Sequence, residues 1–135
     1  MKVSELTLRI DWSEMDTYQH VNNLSFMKYM QSARVQFWEL SGLYQMYSET
    51  KKGAMLVSSK CDFQHPLFYP GEVFIKTQIE FIKNSSFGLI HHLYNHENVL
   101  CAEGHDVAVC YDFTIHKTFR IPKRVRTIFS EYAAS

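Results

Sequence analysis

Residues 24–42, LSFMKYMQSARVQFWELSG, form the segment that decides the fold of this chain. Its apolar side chains recur at alternating spacings of four and three residues, which is the period of one face of an α-helix. These positions are Phe26, Met30, Ala33, Phe37 and Leu40. Gly42 follows the last of them, and glycine readily adopts the left-handed backbone that ends a helix. The pattern predicts one amphipathic helix of about five turns.

Strand patterns surround this helix on both sides. Residues 3–10 are typical of a short strand. Further strands are predicted over 54–69, 72–83, 87–95 and 99–113, the first of them ended by Pro66 and Pro70. In 72–83 the apolar side chains alternate as they do in a half-buried strand. Short turn segments separate the last three strands, which favours antiparallel hairpins, and a short helix is predicted over 123–132. In the last strand the apolar residues change parity, so we expect a bulge or kink near Gly104.

One helix beside several antiparallel strands must bury its apolar face against the sheet. The sequence therefore predicts an α+β fold, with an antiparallel sheet wrapped around one long central helix and the whole chain, residues 1–135, as a single domain. Such a sheet is larger than one helix can cover. The remaining edge or face favours a homodimer or homotetramer.

Composition excludes several classes of function. Lys and Arg balance Asp and Glu, so the net charge is zero, and nucleic-acid-binding proteins usually carry a strong basic excess. No segment approaches the roughly 18 apolar residues that a membrane span needs. The three cysteines show no CxxC spacing, which favours a reducing compartment. Without an apolar signal-peptide core in MKVSELTLRIDW, we expect a cytoplasmic protein.

A polar run, DWSEMDTYQHVNN at 11–23, precedes the long helix. Asn22 or Asn23 would be a suitable helix N-cap, but Asp16 lies seven residues before Asn23 and is too distant to cap the helix. The unpaired N–H groups of a helix start can instead stabilise the oxyanion of acyl transfer. A carboxylate at Asp16 would then attack the carbonyl carbon or activate a water. His20 and Asn22 would orient that carboxylate or hold the water.

This run resembles a known family signature. D-T-Y-Q-H-V-N-N-L-S-F, residues 16–26, is similar to the D-x-x-x-H-V-N-N-x-x-Y motif of hotdog-fold acyl-CoA thioesterases, the group around 4-hydroxybenzoyl-CoA thioesterase. It also resembles the motif of plant acyl-carrier-protein thioesterases. Later segments match in the same order, namely Ala-Arg at 33–34, Ala-Glu-Gly at 102–104 and Arg-Ile-Pro at 120–122. The resemblance spans nearly the whole chain and implies the hotdog fold.

The resemblance also implies roles for the motif residues. Asp16 matches the family's nucleophile or general base, and the backbone N–H of Asn23 falls where the thioester carbonyl is polarised. His20 and Asn22 match positions that orient the water or the carboxylate in some branches. The implied reaction is hydrolysis of an aliphatic or aryl acyl-CoA to free acid and coenzyme A, with no metal or redox cofactor.

Three positions depart from the signature. Gln19 stands where the family usually has Gly, although the plant motif also has Gln at this position. Tyr18 replaces the catalytic Asn of the plant enzymes, and Phe26 replaces Tyr. Asp16 is present in both versions of the motif.

Other residues are candidates for binding the substrate. They are Tyr18 and Phe26 in the motif, and Ser58 and Ser59 on a strand that would face it from the same or a partner subunit. Between residues 117 and 126 lie basic residues without an intervening acid. Arg120, Lys123 and Arg124 among them are candidates for the coenzyme A phosphates, and a solvated helix face is the alternative.

We predict no metal site among the central histidines. His92 and His96 would suit one ion on a helix, but they lie in a strand pattern, where four residues span about 13 Å. Three other functions stay open, namely an acyl-carrier-protein thioesterase, a hotdog hydratase or dehydratase acting on enoyl or hydroxyacyl thioesters, and an acyl-CoA-binding protein without catalysis.

Overall fold

The computed structural model describes all residues from Met1 to Ser135. Its elements, in chain order, are β1 (Ser4–Arg9), a 3-10 turn (Trp12–Glu14), α1 (Asn23–Leu40), α2 (Leu43–Thr50), β2 (Lys52–Phe63), β3 (Glu72–Ile82), β4 (Ser86–Tyr94), β5 (Leu100–Asp112), β6 (Lys117–Thr118) and α3 (Lys123–Glu131). The long helix, the terminal helix and the main strands lie where the sequence predicts them, except that β2 ends at Phe63 instead of residue 69. The short elements α2 and β6 were not predicted. No helix combines the length and the apolar character that a membrane span requires.

The strands form one antiparallel sheet in the order β1-β3-β4-β5-β2, with β6 paired to β5. The sheet curls around α1, so the predicted α+β architecture of a sheet around one long helix is confirmed. The twelve residues of β2 form one edge of the sheet, and only β5 pairs with them.

Two apolar clusters hold α1 against the sheet, one near each end of the helix. Phe26 and Met30 pack with strand residues such as Val73 and Leu93, whereas Phe37 packs with a group that includes aromatic residues of β4 and α3. Burying a large apolar side chain stabilises a fold by roughly 1.5–3 kcal/mol. Contacts at both ends therefore fix the position of the helix N-terminus.

The bulge predicted near Gly104 lies at Cys101 instead. β5 is continuous, and the register against β4 shifts between Ala102 and Leu100, which makes Cys101 the extra residue. Gly104 lies instead where α1 approaches the sheet, since a Cβ built there would meet the Met30 sulfur at 2.5 Å. The apparent change of parity arises because Asp106 occupies a core-facing position while valines occupy the outer face.

A polar network lies buried between α1 and the sheet. Asp106 Oδ2 contacts His91 Nε2 at 2.7 Å and Arg34 Nη1 at 3.0 Å, while its Oδ1 accepts a 2.6 Å hydrogen bond from Ser59 Oγ. His91 Nδ1 lies 2.7 Å from the Thr77 hydroxyl. The network joins α1 to β2, β3, β4 and β5, and it leaves no buried side-chain polar atom without a partner. His91 is therefore a core residue with partners on both nitrogens.

Candidate active site

An open cavity of about 260 Å³ lies at the N-terminal end of α1. One wall is the polar run before the helix, and the other is the segment that follows β2. The lining residues are Asp16, His20, Val21, Asn23, Phe26, Phe63, Gln64, His65 and Pro66. The structure thus brings Asp16, His20, Asn23 and Phe26 together, as the sequence predicts, and adds residues from the second wall.

A tight turn over residues 16–20 presents Asp16 to this cavity. The Asp16 backbone N–H donates to the His20 carbonyl at 2.7 Å, and the Gln19 N–H donates to the Asp16 carbonyl at 3.2 Å. Gln19 has a φ of 66°, in the left-handed region that glycine adopts at low cost. The Gly that the resembled signature usually has at this position would adopt this conformation at lower cost than Gln19 does. The Val21 N–H then donates to the Leu67 carbonyl at 2.9 Å and ties the turn to the opposite wall.

The Asp16 carboxylate has one fixed oxygen and one free oxygen. Oδ1 accepts the backbone N–H groups of Tyr18 at 2.8 Å and His20 at 3.1 Å. Oδ2 has no hydrogen-bond partner in the chain. A carboxylate held in this way keeps its orientation and can still offer an oxygen to a substrate carbon or a water.

The start of α1 supplies an unpaired donor at the same cavity. Asn22 is the N-cap, and its Oδ1 accepts the Ser25 N–H at 2.7 Å. Asn23 is the first helical residue, and its N–H donates to no group in the chain. The partial positive charge of a helix N-terminus is concentrated on such unpaired N–H groups. Asp16, which has a free carboxylate oxygen, and Asn23, which has an unpaired N–H, therefore line one cavity.

Asn22 caps α1 through its side-chain oxygen, which is the alternative that the sequence also predicted, and it does not line the cavity. The expectation that the His20 side chain orients Asp16 needs correction. The His20 backbone makes that contact, while its imidazole packs edge-on against Phe68 with ring centroids 5.1 Å apart. The ring makes no hydrogen bond within the chain and remains available at the cavity wall.

Of the expected substrate-binding residues, Phe26 alone lines this cavity. Its ring is buried against Phe63, with centroids 5.2 Å apart. Tyr18 is 80% exposed and lies outside the lining because the tight turn directs it to solvent. Ser58 and Ser59 do not line the cavity either. Ser59 faces the core and binds Asp106, and Ser58 pairs opposite Val107 on the outer face, beyond a register shift in the middle of β2.

Sequence reasoning missed the second wall, which Gln64, His65 and Pro66 form. The Gln64 and His65 N–H groups both donate to the Cys101 carbonyl, at 2.8 and 3.1 Å, so the chain leaves β2 at a fixed angle. The sequence predicted a strand over 54–69 ended by Pro66 and Pro70, because proline cannot donate to a strand ladder. The structure ends β2 at Phe63, before either proline.

A buried carboxylate below the cavity positions the helix. Glu14 accepts a hydrogen bond from the Tyr29 hydroxyl at 2.8 Å and contacts Lys28 Nζ at 3.2 Å. Its backbone carbonyl accepts the Asn22 N–H at 2.8 Å. Burial, together with the Glu14 carboxylate, raises the pKa of Tyr29 far above its ordinary value. Glu14 thereby links the 3-10 turn to both the N-cap and the first turns of α1.

Two further cavities lie towards the other end of the sheet. One, of about 330 Å³, is lined by Arg120, Ile121, Pro122, Lys123 and Arg126. Arg126 replaces the expected Arg124 in this group, because Arg124 projects towards Gly42 instead. The other cavity, of about 300 Å³, is mostly apolar, and its lining residues are Trp38, Leu43, Tyr44, Tyr47, Ala54 and Phe113.

Comparisons with known proteins agree with this geometry. The model of the thioesterase-like superfamily matches residues 10–129. The chain is similar to a gentisyl-coenzyme A thioesterase, with 28% identity, a TM-score of 0.81 and coverage of 93% of this chain and 98% of the other. A 1,4-dihydroxy-2-naphthoyl-CoA thioesterase from Synechocystis has 16% identity, a TM-score of 0.83 and coverage of 96% and 97%. A Staphylococcus aureus protein in complex with CoA has 9% identity, a TM-score of 0.90 and coverage of 99% and 87%.

Comparison with the curated proteins gives no match. The family match nevertheless spans most of the chain, including both walls of the cavity and the start of α1. The resemblance to hotdog-fold thioesterases is confirmed, and so is the hotdog fold. The chain belongs to the thioesterase-like superfamily, and it is a thioester hydrolase.

Proposed function

We propose that the chain, as one domain over residues 1–135, hydrolyses an acyl-coenzyme A thioester to the free acid and coenzyme A. The observation that carries this proposal is that one cavity is lined both by Asp16, which has a free carboxylate oxygen, and by Asn23, which has an unpaired backbone N–H. The two named CoA thioesterases among the similar structures support coenzyme A as the carrier. The aromatic acyl groups in their names make aryl-CoA substrates a sensible first test.

The proposed mechanism uses the two groups from opposite sides of the thioester. The carbonyl oxygen accepts the Asn23 N–H, which stabilises the negative charge that develops on that oxygen. Asp16 Oδ2 either attacks the carbonyl carbon or removes a proton from the attacking water. Collapse of the tetrahedral intermediate breaks the carbon–sulfur bond and releases coenzyme A as a thiolate. In the attack route, water then hydrolyses the acyl-aspartate anhydride and restores the carboxylate.

Replacing Asn23 by proline tests the oxyanion contact selectively. Proline lacks the N–H but fits the first position of a helix, and Asn22 already has the extended backbone (φ −73°, ψ 158°) that a residue before proline requires. We expect kcat to fall by about 10²–10³-fold with little change in KM, because the lost contact acts mainly on the transition state. Steady-state assays of thiol release measure this effect.

Asn23→Ala is the matched control, since alanine keeps the backbone N–H. We expect it to retain most of the activity of the wild type. If the alanine variant lost as much activity as the proline variant, the Asn23 side chain rather than the N–H would be the functional group, and the oxyanion assignment would fail.

The free edge of β2 supports a homodimer in which two copies of this strand pair. β2 is long, and apolar side chains along it are partly exposed, with Val57 at 58%. A long apolar edge strand pairs readily with another strand, and a two-fold axis through its centre gives an antiparallel, self-complementary contact. We therefore propose that the active form is at least a dimer.

Such pairing has a consequence for the substrate. The cavity with Asp16 lies beside the end of β2, at Phe63, whereas the apolar cavity lies beside its start, at Ala54. Antiparallel pairing of two β2 strands would place the end of one strand next to the start of the other. The acyl group would then enter the apolar cavity of the second copy. The cavity lined by Arg120, Lys123 and Arg126 lies at the same end of the sheet as this apolar cavity, and its basic side chains would hold the coenzyme A phosphates.

Introducing a charge at the middle of β2 tests this assembly. In Val57→Asp, two like charges would meet near the two-fold axis, and we expect a monomer with strongly reduced thioesterase activity. Light scattering after size exclusion would give a mass near 15.9 kDa instead of a multiple of it. Ile115→Asp is the control, because Ile115 is equally exposed, at 60%, but lies in the turn after β5. A Val57→Asp variant with the oligomeric state of the wild type would contradict the β2 interface.

A panel of substrates separates the remaining possibilities. Aryl, short, medium and branched acyl-CoA thioesters, and the same acyl groups on acyl-carrier protein, are assayed by release of free thiol. We expect faster release from coenzyme A thioesters because the basic group matches their phosphates. Loss of the enoyl absorbance of crotonyl-CoA without thiol release would indicate a hydratase, and stoichiometric binding without turnover would indicate a non-catalytic protein.

A further inference from the structure

A cluster of imidazole and carboxylate groups lies on the outer face of the sheet, away from the cavities described above. The cluster contains His92 of β4, Glu103 and His105 of β5, and Asp62 of β2. Glu80 of β3 contacts it through His105. His92 and Asp62 both pair opposite Glu103, so three adjacent strands place their side chains in one row. Proposed catalysis at Asp16 uses none of these groups.

The ligand atoms of three of these residues are already close together. One side-chain ligand atom each of Asp62, Glu103 and His105 lies within 4.8 Å of the other two, and His105 Nε2 is 2.9 Å from Glu103 Oε2. Nitrogen and oxygen ligands bind Zn²⁺ at about 2.0–2.2 Å, so only small side-chain rotations separate this arrangement from a coordination shell.

A second set of contacts fixes the orientation of the proposed ligands. His105 Nδ1 is 3.0 Å from Glu80 Oε1, which leaves Nε2 as the metal-binding nitrogen, and Glu103 Oε1 is 3.1 Å from His92 Nε2. A carboxylate bound to the other nitrogen of a ligating histidine is the usual support of a metal site. Both His105 and Glu103 are partly buried, with side-chain exposures of 26% and 33%.

We propose that Asp62, Glu103 and His105 form a binding site for a divalent transition-metal ion. Imidazole with carboxylates suits Zn²⁺ and its neighbours in the first transition row. Three carboxylates face the site, including Glu80. Lys60 Nζ contacts Asp62 at 3.6 Å, but both side chains are more than half exposed. The local charge therefore favours a cation.

Calorimetric titration of the intact protein with Zn²⁺, after dialysis against a chelator, tests the proposal. We expect saturable binding of about one ion per chain. Glu103→Gln and His105→Gln should each weaken it at least tenfold, roughly the effect of disturbing a metal shell. Co²⁺ provides a second readout, because its visible absorption reports nitrogen and oxygen coordination directly and should disappear in both variants.

His96→Gln is the matched control. Its imidazole also lies near a carboxylate, 3.8 Å from Glu97, but on an exposed turn without a third ligand. Circular dichroism establishes that each variant is folded, and Asp62→Asn adds a ligand variant at a half-exposed position. The proposal is overturned if Zn²⁺ does not bind saturably, if all three ligand variants bind as the wild type does, or if His20→Gln removes binding instead.

Discussion

Asp16→Asn is expected to lower kcat for acyl-CoA hydrolysis by about 10²–10⁴-fold, the usual contribution of a general base or nucleophile. The substitution is almost isosteric. The carboxamide oxygen of asparagine can still accept the Tyr18 and His20 N–H groups that hold Oδ1, so the turn should keep its conformation. Only the negative charge and the basicity of Oδ2 are lost. We therefore expect kcat to fall while KM and the thermal unfolding temperature change little.

Asp11→Asn is the control for this experiment. Asp11 lies in the same polar run, is exposed and also accepts a backbone N–H, from Ser13 at 3.0 Å, but it does not line the cavity. Its activity should match that of the wild type. Equal losses in the two variants would mean that charge in the run as a whole, rather than a reacting oxygen at Asp16, controls the rate.

Asp106→Ala is expected to give the largest loss of stability. Asp106 and His91 have fully buried side chains, and that of Arg34 is 12% exposed. Removing the carboxylate would leave Arg34 buried without a counter-charge and would remove the partner of Ser59. Breaking such a buried pair typically costs about 3–5 kcal/mol of unfolding free energy. Urea denaturation followed by circular dichroism measures the change.

An exposed ion pair provides the comparison for Asp106. Glu131 contacts Lys2 at 3.1 Å with both side chains about half exposed, and pairs of this kind contribute less than about 1 kcal/mol. Glu131→Gln should therefore change the unfolding free energy little. If Asp106→Ala had an equally small effect, the buried network would not be a major support of the fold.

The same network predicts a dependence of stability on pH. Burial raises the pKa of Asp106, but hydrogen bonds and charges from His91, Ser59 and Arg34 outweigh it and hold the pKa below the ordinary value. A depressed pKa contributes stability above the unfolded-state value, near pH 4, and this contribution is lost as the pH falls through the folded-state value. The unfolding free energy of the wild type should fall more steeply below about pH 4 than that of Asp106→Asn. Parallel curves for the two proteins would contradict this assignment.

Sequence periodicity was sufficient to predict α1, because its apolar face must satisfy one helical period along its whole length. It was not sufficient for β5, in which Asp106 occupies a core position and Val107 an outer one. A local hydrophobic pattern cannot show that a charged residue will be buried by partners such as His91 and Arg34, which lie far away in sequence. The same limit hid the buried role of Ser59.

Some residues of the candidate site could also be placed from the sequence, and others could not. The motif predicted the placement of Asp16 and Asn23 at one cavity because both belong to one continuous run before α1. Sequence could not decide between capping and catalysis for Asn22, whose side chain makes the N-cap hydrogen bond. Nor could it place His65, because the second wall depends on where β2 ends and on hydrogen bonds to Cys101. Side chains that converge from distant segments require the fold to be known.

The central claim concerns two atoms: the Asn23 amide nitrogen binds the thioester oxygen while Asp16 Oδ2 approaches the carbonyl carbon. A crystal structure with a ketone analogue, in which a methylene replaces the thioester sulfur of an acyl-CoA, measures both contacts. We expect the ketone oxygen within about 3 Å of the Asn23 nitrogen and the carbonyl carbon about 3–3.5 Å from Asp16 Oδ2, or from a water bound to it. A ketone bound outside this cavity, or inside it with Asp16 turned to solvent, would contradict the account.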